Sequence, residues 1–107
     1  MILVISFVPS GKGKEISRKI LEKRLALNIS IKSVSTIKIE EENIKEEEQD
    51  LLIISTRKEL FDILKDFMKS MNICKVPEII EIKVDDVNKE YLDILELETS
   101  IKKVKNA

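Results

Sequence analysis

A chain of 107 residues with 19 basic and 20 acidic side chains is one domain. Its net charge of −1 lacks the basic excess that nucleic-acid or anionic-membrane binding requires. One cysteine, Cys74, and no histidine exclude an internal disulfide, Ser-His-Asp and Cys-His catalysis and any histidine-ligated metal.

No apolar run approaches the roughly 20 residues of a membrane span. The apolar start at Met1 has no basic region ahead of it, so no secretory signal is expected. The lone thiol fits a reducing compartment, and the expected location is the cytoplasm.

Residues 2–8 are almost continuously apolar and too short for an ordinary helix, which predicts a central strand. Pro9-Ser10-Gly11 ends it. Residues 14–27 then predict a helix. Ile16, Ile20, Leu21 and Leu25 form its apolar stripe, with Arg18, Lys19, Glu22 and Lys23 outside. Residues 28–39 alternate through Ile29, Ile31, Ile37 and Ile39, with Val34 out of phase. That pattern predicts a long strand with a bulge or bend at 32–35. The acidic stretch 40–48 predicts the turn region of a hairpin, with the ladder extending into it. Residues 51–54 predict a second central strand.

From Thr56 onward, Leu60, Phe61, Leu64, Phe67, Met68 and Met71 trace one face of a helix. Val76-Pro77-Glu78-Ile79-Ile80-Glu81-Ile82-Lys83-Val84 alternates after its proline, as an edge strand does. Asn88 opens a short last helix carrying Tyr91, Leu92 and Leu95. The basic end, 100–107, is expected to fray unless a partner subunit holds it.

The predicted class is therefore α+β: a ferredoxin-like βαββαβ domain over residues 1–99, with an extra C-terminal helix. Its four-stranded antiparallel sheet, in the order 4-1-3-2, puts the two uniformly apolar strands inside and the two alternating ones at the edges.

Three stretches invite chemistry. Gly11-Lys12-Gly13-Lys14 lies between a strand and a helix, where anions bind, but it is no complete phosphate loop. Glu40-Glu41-Glu42 and Glu46-Glu47-Glu48 with Asp50 offer hard oxygen donors without the spacing of a calcium loop. A solvated hairpin tip that resists aggregation is the reading favoured there. Cys74 is a soft-metal ligand by type.

Glu22-Lys23-Arg24-Leu25-Ala26, Val76-Pro77-Glu78-Ile79-Ile80 and Asn88-Lys89-Glu90-Tyr91-Leu92 stand in register over this topology. Together they resemble the CutA divalent-cation-tolerance family. The resemblance implies a homotrimer paired through edge strands and the hairpin, a role in the response to metal ions, and no enzymatic activity. For an inter-subunit cleft it points to Lys38 as cationic anchor, Glu78 as acceptor and Tyr91 as hydroxyl donor.

Copper binding in this family looks to rest on Cys and His residues. Here Leu27-Asn28 and Asn72-Ile73-Cys74 replace the ligand-bearing stretches. Cys74 is the one remaining candidate for copper, and no other cofactor is expected. The alternative is a PII-like trimeric sensor that binds a small anionic metabolite or nucleotide between subunits, carried by the Gly11-Lys12-Gly13-Lys14 loop.

Overall fold

The computed structural model describes residues 1–100, so the expectation for the tail beyond Ser100 lies outside the described residues. The chain runs β1 (Ile2–Pro9), α1 (Gly13–Glu22), β2 (Asn28–Glu40), β3 (Asn43–Thr56), α2 (Phe61–Ser70, led in by a 3-10 turn), β4 (Glu78–Lys83) and α3 (Lys89–Glu98). The strands form one antiparallel sheet in the order β2-β3-β1-β4. This is the ferredoxin-like arrangement, with the two apolar strands at its centre.

β1 is apolar on both sides because its two faces meet different surroundings. On one face Ile2, Val4 and Val8 join Leu52 and Ile54 of β3 in the core, under Ile16 and Ile20 of α1 and Leu64 and Met68 of α2. On the other, Leu3, Ile5 and Phe7 are only half-buried. Around them Ile53, Ile80 and Ile82 are exposed, the last two at 48% and 44%.

Three local features depart from the sequence pattern. The predicted helix runs on to Leu27, yet α1 ends at Glu22. Arg24 takes φ = 60°, and its N–H bonds Leu21 O at 3.0 Å while Leu25 N–H bonds Ile20 O at 3.3 Å. These are the paired bonds of a Schellman stop. A non-glycine residue in that conformation costs about 1–2 kcal/mol. The turn offsets this by driving Leu25 and Ala26 into the core, where the buried Thr56 hydroxyl donates to Leu25 O at 2.6 Å.

The expected bulge at 32–35 is absent. β2 pairs β3 in one unbroken register from Asn28↔Ser55 to Glu40↔Asn43. Val34 breaks phase because the covered side of the strand changes, not because the backbone does. Near Ile29 the helix side is partly buried. Further along, Val34, Thr36 and Lys38 on the opposite side become the half-buried residues. Ile37, Ile39 and Ile44 keep the first side and stand 71–79% exposed on an arm beyond the helices.

The arm turns in two residues, shorter than the acidic stretch implied. Glu41 and Glu42 both have positive φ, 51° and 70°, as a primed hairpin turn demands. Glu46, Glu47 and Glu48 belong to the ladder of β3. β4 is also shorter than its pattern, since Val76 and Pro77 precede it.

Where the arm leaves the core, the buried Asp50 faces the loop before α1. Its Oδ2 accepts N–H bonds from Gly11 at 3.1 Å and Gly13 at 2.9 Å. A Cβ on Gly13 would lie 2.9 Å from that oxygen and 3.0 Å from Ile31 Cγ2. Gly13→Ala is therefore expected to destabilise the chain by about 1–3 kcal/mol, measured by urea unfolding. Glu42→Gly removes a positive-φ side chain and is expected to stabilise by about 1 kcal/mol in the same assay.

Candidate functional site

The edge pairing of the sheet builds a cleft at the stem of the arm. Phe7 pairs with Leu51 and with Glu78, and Pro9 pairs with Gln49, so side chains of β1 and β3 form a floor on the face away from α1 and α2. Lys38, Glu40 and Glu47 of the arm make one wall. Cys74, Lys75 and Val76, on the connection from α2, continue into Glu78 as the other. The enclosed volume is about 330 Å³. Ser6 Oγ donates to the main-chain oxygen of Glu78 at 2.6 Å, which holds the start of β4 against β1.

The arm wall is charged and internally paired. Lys38 Nζ lies 2.5 Å from Glu47 Oε2 and 3.9 Å from Glu40 Oε1, and Glu40 also takes Lys45 at 2.8 Å. The hydrogen bond to Glu47 holds the Lys38 ammonium above its ordinary range, with Glu40 and Glu78 adding through space. The Lys45 hydrogen bond, with that cation's charge, Lys38 and Lys75, keeps the Glu40 carboxyl below its ordinary range.

Of the residues singled out from the sequence, Lys38, Glu78 and Cys74 share this cleft. Tyr91 does not. Its hydroxyl accepts from Asn28 Nδ2 at 2.8 Å, at the other end of β2. Asn28 pairs with Ser55, six residues along β3 from Gln49 and so about 20 Å away. Within one chain Tyr91 is a peg for α3 and no part of the cleft.

The glycine loop is likewise committed. The amides that would meet an anion are held by Asp50, an anion supplied by the chain itself. Cys74 is exposed, and among the described residues no three Cys, Asp or Glu side chains converge as a metal site. A metal on Cys74 would need donors from other chains.

Sequence reasoning missed Gln49. It looks like one more polar residue of an acidic tip, yet it is 7% exposed and its Oε1 is buried without a partner among the described residues. The only signal was its place opposite Pro9, which becomes visible once β1 and β3 are paired.

Residues 1–98 match the family described as CutA1 divalent ion tolerance protein. The chain belongs to this family. A divalent-cation tolerance protein CutA of Pyrococcus horikoshii is 33% identical over 92% of this chain and 98% of its own length. The crystal structure of CutA1 from that organism superposes with a TM-score of 0.89 at 31% identity, covering 94% of this chain and 99% of its own.

A periplasmic CutA from Archaeoglobus fulgidus gives 0.90 at 26% identity, over 94% and 100%. A PII-like CutA from Nostoc, at 21% identity over 94% and 99%, gives 0.89 and shows the shared fold alone. Within the CutA family this chain is thus ordinary in fold, and its cleft carries a wall of paired lysines and glutamates.

That wall sets a pH window. Glu40, with its pKa lowered in the fold, contributes stability above its unfolded value near ~4.3, lost as pH falls through its folded value. Lys38, with its pKa raised, contributes below about 10.4 and loses that as pH rises through its folded value. Amide exchange at Glu40, corrected for intrinsic rates, is expected to show steady protection from about pH 5 to 9. Protection should fall on the acid side below about pH 4.

Proposed function

We propose that this CutA-family chain acts as a homotrimeric binding protein in divalent-cation tolerance and not as an enzyme. The uncovered sheet face is the observation that carries the reading. Leu3, Ile5 and Phe7 are half-buried at its centre, with Ile53, Ile80 and Ile82 exposed around them. Contiguous apolar surface of this kind marks an interface. Among the described residues β2 and β4 leave both sheet edges unpaired, and the arm extends Ile37, Ile39 and Ile44 beyond the core. Pairing edges and arm between copies removes the aggregation hazard that such edges carry.

The link to divalent cations comes from the names of the relatives. A single chain supports it only through the Cys74 thiol, so copper would be held where copies meet or not at all. The absence of histidine from the sequence and the paired state of Lys38 and Glu47 support binding over catalysis. We place the protein in the cytoplasm on the strength of its lone exposed thiol. No described helix is long and apolar enough to cross a membrane.

The PII-like sensor stands as the second reading, now supported by the cleft and no longer by the glycine loop. Light scattering is expected to give three times the 12.3 kDa chain mass. A monomer at micromolar concentration would overturn the assembly. Copper-dependent thermal stabilisation that disappears in Cys74→Ala would assign the metal role to that thiol. Stabilisation that persists in the variant would exclude it.

A further inference from the structure

Gln49 raises a problem of hydrogen-bond accounting. An amide oxygen withdrawn from water without a partner costs stability, and native chains retain few such groups. Gln49 Oε1 is one, and its residue lines the cleft at the arm stem. The missing group must donate a hydrogen bond.

The rest of the lining narrows the donor. Lys45 on Glu40 and Lys38 on Glu47 neutralise the arm wall, so the floor acceptor Gln49 Oε1 is what selects a donor. On the opposite wall, Glu78 feels Lys38, and Lys75 acts on Glu40, only through space. Glu78 and Lys75 thus present opposite charges to whatever enters. Phe7, Pro9 and Val76 add apolar surface. At about 330 Å³ the cleft sits at the small end of the roughly 300–1,000 Å³ that hold small molecules.

We infer that the cleft binds a small aliphatic amino acid or a zwitterion like it. The ammonium donates to Gln49 Oε1, the carboxylate faces Lys75, and the side chain rests on Phe7, Pro9 and Val76. This deepens the sensor reading and rests on the cleft proposed there. It also reverses the sign of the expected head group, because a phosphate or nucleotide would bring acceptors to a floor that already offers one.

The test is calorimetric titration of the full chain, its mass first established by light scattering. The ligands are L-valine, isobutylamine and isovalerate, which each keep the side chain and one charge, and ATP. L-valine is expected to bind, and each half-ligand at least about tenfold more weakly. Gln49→Leu is expected to weaken L-valine about tenfold or more while leaving the thermal midpoint unchanged or higher, since it deletes an unpaired polar group. Gln49→Glu, which keeps an acceptor, is expected to retain binding.

ATP binding without L-valine binding, L-valine binding unchanged in Gln49→Leu, or no binding at all would each overturn the inference. If the chain proves monomeric but L-valine binding and its loss in Gln49→Leu persist, the assembly fails and the ligand assignment stands.

Discussion

Asp50 is buried where β3 passes out of the core, and one of its oxygens takes two amides from the loop that starts α1. Charge-assisted bonds to backbone N–H groups are about twice as strong as neutral ones. Here they tie the helical layer to the sheet at the arm's root. Gly13 lets the two surfaces approach, because any side chain there would strike Asp50 or Ile31. With that root held, the arm can extend β2 and β3 past the helices, and the next residue toward its tip, Gln49, becomes the floor of the cleft.

The same clamp separates this protein from anion binders that share its local pattern. A glycine-bearing loop before a helix is an anion site only while its amides are vacant. Here the carboxylate arrives from 37 residues away in sequence. Local pattern alone does not reveal such an arrangement, and it moves the search for a ligand from the loop to the arm stem.

Most of the fold was legible because burial writes itself into residue type. The apolar runs of β1 and β3 and the alternation of β2 and β4 suffice to order the sheet. What was not legible depended on long-range geometry. Arg24 ends α1 with a positive φ that its side chain does not favour, held in place by the core positions of Leu25 and Ala26. Val34 imitated a bulge because the helices stop covering one side of β2. Lys38 and Glu78 lie on one cleft, with Cys74 beside them, because the hairpin stem and the entry to β4 flank β1. Within one chain Tyr91 stands apart from them, because α3 packs at the far end of β2. Gln49 was invisible, as an amide inside an acidic stretch has the composition of a solvated tip.

β1 lies between β3 and β4, and its partners are residues 49–56 and 78–83. The arm, by contrast, closes between neighbours in sequence. Synthesis therefore releases β1 well before either of its partners. Non-local pairing is slow to form, and unpaired apolar strands are prone to associate while they wait. Until residues 49–56 have left the ribosome, Ile2–Pro9 has no sheet to join. A nascent chain stalled before residue 49 would thus display this segment bare, and capture by a holdase chaperone would be strongest at that length.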